Sequence, residues 1–237
     1  MITAPDLTPA GEEGQTSKDW RHSKWVALVE FALVALIFYA DHRNWIPFSK
    51  TPELVLVAWL SLRMRRLRWR DVGLARYRSW PTTLAIGVGL GMVIETFQLT
   101  LTQPILSRLL GRQPDLELFR MVTGNWKMTV LFIALSWTLA AFGEEMFWRG
   151  YLMNRVADVV GRGRAAWIVS LLIVSVIFGF AHEYQGLTGW IEESLAGFYL
   201  GAMYLATRRN LSVPILVHGV SDTIDMLLIY LGKMAGV

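Results

Sequence analysis

The sequence contains no cysteine. This absence excludes disulfide bonds, metal sites built on thiolates and catalysis by a cysteine nucleophile. Any chemistry that the chain performs therefore has to be sought among its carboxylates and its four histidines.

Charged residues are also scarce, at 18% of 237 residues, while 54% are hydrophobic and the mean hydropathy is +0.38. Soluble domains usually carry about a quarter charged residues. The composition predicts an all-α protein, a polytopic transmembrane helical bundle with about seven to eight spans of ~20 apolar residues each. The candidate spans are 24–41, 51–64, 80–104, 128–157, 165–185, 189–207 and 211–232.

The N-terminal stretch MITAPDLTPAGEEGQTSKDW is polar and acidic. It lacks the basic region and apolar core of a signal peptide. We expect residues 1–22 to form a disordered cytoplasmic tail and residues 23–237 to form a single membrane domain.

The net charge of +4 is unevenly distributed along the chain. Seven arginines lie in 63–78, between two apolar segments, with Asp71 as the only acid among them. Such a cluster is typical of a cytoplasmic loop beside lipid headgroups, which also places the N-terminus in the cytoplasm. We therefore expect an integral, multi-pass protein in contact with the lipid bilayer, in a bacterial inner membrane rather than the endoplasmic reticulum, and no nucleic-acid partner. A protein-binding site is the alternative for this cluster.

Two glutamates and an arginine follow an apolar run, in the stretch AFGEEMFWRG at 141–150. Residues four apart share a face of a helix, whereas adjacent residues are rotated by about 100°. Glu145 is therefore expected to pair with Arg149, while Glu144 points elsewhere and is free to act as an acid or base. A charged helix end at the membrane interface is the simpler explanation for this motif alone.

Two of the four histidines lie within apolar segments, His182 in FGFAH and His218 in VPILVHGVSD. Ionisable residues inside a bilayer are rare and usually functional. Phe178 and His182 share a helix face, as do His218 and Asp222, so that Asp222 could orient the His218 imidazole.

The three segments together offer four polar side chains to a common interior: Glu144, His182, His218 and Asp222. A glutamate–histidine pair can take a proton from water, and a histidine–aspartate pair can stabilise an oxyanion. The same four side chains could instead ligate a divalent metal such as zinc. The first chemistry needs no cofactor, and the residues alone leave both open.

Glu95 lies inside another apolar segment, where it is expected either to pair with Arg149 or to line a cavity. Together with Glu144 and the histidines it could form the relay of a proton-coupled transporter. No inverted repeat is visible in the sequence, which disfavours a transporter.

Three motifs, EEMFWR, FGFAH and HGVSD, follow one another on successive apolar segments. They resemble the pattern EExxxR, FxxxH and HxxxN of the CPBP family of intramembrane proteases. That family includes the type II CAAX prenyl endopeptidases and bacteriocin-processing relatives. The resemblance covers residues 128–232 and leaves 1–127 without a matching motif.

The resemblance implies that Glu144 is the general base and acts with His182 on water. Glu145 and Arg149 are implied to support it, and His218 with position 222 to line the oxyanion or water site. The expected activity is endoproteolysis of a membrane-anchored protein or peptide, either a prenylated CAAX protein or a leader peptide. A non-catalytic scaffold, serving in immunity or signalling, is the alternative.

Position 222 departs from the family pattern, because Asp222 stands where the prenyl endopeptidases have asparagine. Asparagine can donate a hydrogen bond to an oxyanion, whereas an ionised aspartate would repel one. Three explanations follow: a protonated Asp222, an Asp222 that orients His218, or a bound metal.

Overall fold

The computed structural model describes residues 23–237 of the chain. The predicted tail at 1–22 lies outside the described residues. All regular structure in the described part is helical and no strand occurs there, which confirms the all-α prediction.

Nine α-helices, three π-helical segments and three short 3-10 helices make up the regular structure of the described part of the chain. The α-helices are α1 (Lys24–His42), α2 (Thr51–Met64), α3 (Trp80–Phe97), α4 (Gln103–Leu110), α5 (Trp126–Leu135), α6 (Met153–Val160), α7 (Arg164–Phe180), α8 (Gly186–Ala206) and α9 (Ser212–Tyr230). The π-helical segments Gln98–Thr102, Ser136–Glu144 and Met146–Leu152 join α3 to α4 and α5 to α6.

Polar residues fix where several of these helices begin. The side chains of Ser23, Ser79 and Asn125 accept hydrogen bonds from backbone N–H groups in the first turns of α1, α3 and α5. Such caps satisfy N–H groups that have no partner within the helix. They explain why long apolar runs start as helices at these positions.

Fewer helices than predicted are long and apolar enough to cross a membrane. Four qualify in 23–237: Lys24–His42, Trp80–Leu110, Trp126–Val160 and Ser212–Tyr230. A fifth is added if the pair Arg164–Phe180 and Glu183–Ala206, bent by 58°, counts as one span. The prediction of seven to eight spans is therefore not met. One reason is that α2, with 14 residues, is about 21 Å long against a hydrocarbon core of ~30 Å.

The loops gather at two ends of the bundle. At the arginine end, formed by loops 65–79, 161–163 and 207–211, the Leu211 N–H donates to the Gly73 carbonyl. At the opposite end, formed by loops 43–50, 111–125 and 181–185, Lys50 donates to the Ala181 carbonyl. Successive helical segments therefore run in alternating directions between the two ends.

Glycines allow the motif-bearing helices to pack closely. A Cβ at Gly179 of α7 would lie 2.0 Å from Ser194 Oγ of α8. A Cβ at Gly91 of α3 would lie 2.8 Å from the Val220 Cβ of α9. Small residues at such positions let helix backbones approach closely in a membrane.

A buried ion-pair network joins α1, α2 and α6 near the arginine end. The Arg65 guanidinium donates to both oxygens of Glu30, at 2.6 and 3.0 Å, and Arg155 Nε donates to Glu30 Oε2 at 2.9 Å. All three residues are buried. Two arginines facing one buried carboxylate explain why Glu30 is tolerated inside the apolar helix α1.

Candidate active site

The EEMFWR motif lies where α5 continues into π-helical turns, and not in the uninterrupted α-helix that the sequence predicts over 128–157. Every residue from Met146 to Leu152 is buried, so this segment lies at the centre of the bundle. A π-helical turn is wider than an α-helical one and is frequent at functional sites. The wider turns therefore occur in the stretch that carries Glu144, the predicted acid or base, and the predicted supporting pair Glu145–Arg149.

Glu145 and Arg149 form the predicted pair. Arg149 Nη1 lies 2.5 Å from Glu145 Oε1, and both side chains are almost entirely buried. Arg149 also donates to the Gly197 carbonyl of α8 at 2.9 Å, and its guanidinium lies 4.7 Å from the Phe178 ring centroid. The pair thus ties the motif segment to both α7 and α8.

His218 contacts the same glutamate. Its Nδ1 lies 2.9 Å from Glu145 Oε1, the oxygen that also accepts from Arg149. A carboxylate oxygen can only accept, so Nδ1 carries the proton in this contact. Glu145 therefore links the first and third motifs, a contact that no spacing rule predicts because the two residues are distant in sequence.

The predicted contact between His218 and Asp222 is present but longer, with 3.6 Å between Nε2 and Asp222 Oδ1. This distance exceeds that of an ordinary hydrogen bond. Because Nδ1 is already protonated, Nε2 and the Asp222 carboxyl group attract each other only if one of the two carries a proton. The contact of His218 with Asp222 is thus weaker than its contact with Glu145.

Glu144 and His182 line one large cavity of about 1320 Å³. Glu144 Oε2 is buried and has no hydrogen-bond partner among the described residues. His182 Nδ1 donates to the Phe178 carbonyl at 2.9 Å, which leaves its Nε2 as the nitrogen available for other partners. His218 and Asp222 do not line this cavity, so only part of the predicted constellation shares it.

Phe178 lies at the junction of the three motifs. Its ring centroid lies 5.0 Å from that of His182 and 6.3 Å from that of His218, and it packs against Trp148 at 5.5 Å. The phenylalanine of FxxxH therefore presents an apolar surface to both histidines and holds the Arg149 guanidinium on its face.

Lys50 also lines the cavity, although no pattern in the sequence singles it out. It pairs with Asp41 at 2.7 Å and donates to the Ala181 carbonyl at 3.2 Å, one residue before His182. Its ammonium lies 5.6 Å from the Phe38 ring centroid. Lys50 thus connects the α1–α2 loop to the turn that presents His182.

The residues considered for zinc do not converge on one point. Within 23–237, no group of three or more histidine or acidic side chains is arranged to hold a metal ion. The nitrogens of His218 face Glu145 and Asp222, and one nitrogen of His182 is held by the backbone. The arrangement of these side chains therefore does not fit a metal centre.

Glu95 does not meet Arg149. It is buried and contacts the side chains of Asp225 and Ser221 on α9. The expectation that it pairs with Arg149 is therefore wrong, and Glu95 instead joins α3 to the helix that carries His218.

The three motifs thus place glutamate and histidine side chains on packed helical segments of the bundle. The family model described as "Type II CAAX prenyl endopeptidase Rce1-like" matches residues 126–224, which hold all three motifs. Over this segment, which is less than half of the chain, the protein is similar to that family. No curated protein and no solved structure gave a significant match.

Proposed function

We propose that this protein is an intramembrane endopeptidase that hydrolyses a peptide bond of a membrane-associated substrate with water activated by Glu144 and His182. The observation that supports this most is their shared cavity, in which one Glu144 oxygen and one His182 nitrogen lack protein partners among residues 23–237. A paired carboxylate such as Glu145 is less suited to exchange protons with water.

In the proposed mechanism, a water molecule hydrogen-bonds to Glu144 and to His182 Nε2. Glu144 accepts one proton as the water oxygen attacks the peptide carbonyl carbon, which forms a tetrahedral oxyanion. The C–N bond then breaks, and the proton held by Glu144 passes to the leaving amine nitrogen. The products are a free carboxyl group and a free amino group, so atoms and protons balance.

The His218–Asp222 pair is proposed to stabilise the oxyanion. Because Glu145 holds the Nδ1 proton of His218, the proton shared by Nε2 and Asp222 is the one available for donation. A preorganised donor of this kind is worth about a hundredfold or more in rate. This role also accommodates aspartate at a position where asparagine donates in related enzymes.

The orientation in the membrane bears on the substrate. If the arginine end faces the cytoplasm, as the positive-inside rule predicts, the N-terminus is cytoplasmic and the loops around the cavity, 43–50 and 181–185, lie on the non-cytoplasmic side. In a bacterial inner membrane, this orientation favours a leader peptide or another anchored segment on that side over a cytosolic prenylated C-terminus.

Comparison of membrane-derived peptides by mass spectrometry, in cells carrying wild-type protein or Glu144→Gln, tests the proposal. We expect peptide termini that are present with wild type and reduced by about a hundredfold with Glu144→Gln and His182→Ala. Glu53→Gln, which changes an exposed glutamate of α2, is the matched control and should behave as wild type. Unchanged termini with both site variants would instead favour a non-catalytic scaffold.

A further inference from the structure

A second cavity, of about 650 Å³, lies at the arginine end of the bundle. The α2–α3 loop and the α8–α9 turn form its walls, with Asn154 and Tyr204 between them. Four arginines line this arginine pocket against one acid, which leaves an excess of three positive charges. The lining charges are Arg70, Arg78, Arg208, Arg209 and Asp71. None of them belongs to the candidate active site.

Hydrogen bonds hold the floor of the arginine pocket in place. Asn154 Nδ2 donates to the Tyr204 hydroxyl at 2.9 Å, and that hydroxyl donates to the Val72 carbonyl at 2.9 Å. Tyr204 is fully buried. The floor therefore joins the α2–α3 loop to α6 and α8 without needing a ligand.

The walls of the pocket are locked to each other through the backbone. A Cβ at Gly73, where φ is +115°, would lie 2.3 Å from the Arg209 carbonyl oxygen, so only glycine permits this approach. Asn210 Nδ2 donates to the Ala75 carbonyl at 2.6 Å. Arg208 and Arg209 both have left-handed backbone conformations, with φ of 58° and 62°. Non-glycine residues persist there only when the surroundings impose it.

Three of the four arginines have no acidic partner within residues 23–237, and among them Arg209 is held by an aromatic ring. Arg70 lies 3.7 Å from Asp71, and the Arg209 guanidinium stacks on Trp167 at 5.0 Å from the ring centroid. Arg78 and Arg208 form no ion pair among the described residues. Guanidinium groups in a preformed concave site match the geometry of phosphate oxygens.

We propose that the arginine pocket binds a phosphate group, with Arg78 and Arg208 as the contacting cations. The phosphate belongs either to the headgroup of an anionic phospholipid or to a soluble phosphate compound, since both present the same oxygens. This proposal does not depend on the protease activity, because the pocket lies at the other end of the bundle from Glu144 and His182.

Purified full-length protein in lipid nanodiscs of phosphatidylglycerol and phosphatidylcholine tests whether the phosphate belongs to a lipid headgroup. Native mass spectrometry should show that the wild-type protein retains phosphatidylglycerol in preference to phosphatidylcholine. Arg78→Gln and Arg208→Gln should each weaken that preference by about tenfold, as expected for loss of a charge-assisted hydrogen bond. Arg76→Gln removes the same charge from an exposed position in the same loop, outside the lining, and should retain the preference.

Inorganic phosphate added to the protein in detergent tests whether the pocket binds a soluble phosphate compound. Unfolding is followed by the fluorescence of the 11 tryptophans. Stabilisation of wild type and Arg76→Gln, but not of Arg208→Gln, supports a phosphate site even without a lipid preference. The same unfolding curves show whether each variant is folded. Neither a lipid preference nor stabilisation by phosphate, or equal effects in all three variants, would overturn the proposal.

Discussion

Glu145 and His218 are 73 residues apart in the sequence, yet Glu145 Oε1 lies 2.9 Å from His218 Nδ1 in the bundle centre. The same oxygen accepts from Arg149, so one carboxylate joins a cation of its own segment to the imidazole of α9. The adjacent Glu144 faces the cavity and has no such partners. Glu145 is therefore held in a buried ion pair, whereas the neighbouring Glu144 faces a cavity. Substitution of Glu145 and substitution of Glu144 should accordingly have different effects on stability.

Glu145→Gln should destabilise the fold strongly, whereas Glu144→Gln should not. The first substitution leaves the buried Arg149 without its counter-charge, and breaking a buried pair in this way costs about 3–5 kcal/mol. Glu144→Gln removes no ion pair and should cost less than about 1 kcal/mol. Thermal unfolding in detergent, followed by tryptophan fluorescence, measures both. Equal destabilisation by the two variants would contradict this division of roles.

Asp222→Asn should retain cleavage, while Asp222→Ala should not. The asparagine amide can donate to His218 Nε2 and preserve the contact that is seen at 3.6 Å. Alanine removes the partner, and loss of an oxyanion donor costs about a hundredfold or more. The assay is formation of the peptide termini that depend on Glu144. If Asp222→Asn is as inactive as Asp222→Ala, a carboxyl group is itself required at this position.

The helical fold and the Glu145–Arg149 pair could be predicted from the sequence because both follow from local rules. Apolar composition indicates membrane helices, and a spacing of four residues places Glu145 beside Arg149. The Glu145–His218 contact could not be predicted, because it depends on how two distant segments pack. The partner of Glu95 and the role of Lys50 were missed for the same reason.

The span count could not be obtained from hydropathy alone. Apolar residues at 51–64 indicate burial, and the structure shows α2 packing against the motif segment, with Leu54 and Ala58 in the same buried core as Trp148. A helix of 14 residues that packs one face against its neighbours can be apolar without being long enough to span. Helices that span the membrane are distinguished from apolar helices that do not by their length and by bends between them, and only the structure shows these.

Gly179→Ala should disrupt the site, although it adds only a methyl group. The new Cβ would lie 2.0 Å from Ser194 Oγ and 2.3 Å from the Trp190 carbonyl oxygen, which forces α7 and α8 apart three residues before His182. Overpacking of this kind costs about 1–3 kcal/mol, and we expect both the unfolding temperature and cleavage to fall.

Gly89→Ala is the matched control for Gly179→Ala, since both replace a glycine within a long helix. A Cβ at Gly89 meets no atom within 4 Å. We expect its unfolding temperature to stay at the wild-type value or rise slightly, because alanine favours the helix. Similar losses in the two variants would show that close packing at Gly179 is not the cause.

The absence of cysteine makes the orientation directly measurable, because a single introduced cysteine is the only thiol to label. Ala165 lies in the first turn of α7 at the arginine end, and Ala235 lies in the segment whose Gly236 carbonyl bonds to Leu116 at the other end. Both are exposed, and neither substitution alters the charge on which the positive-inside rule depends. In intact cells, a membrane-impermeant maleimide should label Ala235→Cys and should reach Ala165→Cys only after lysis. The reverse pattern would place the Glu144–His182 cavity towards the cytoplasm, where a prenylated C-terminus could reach it.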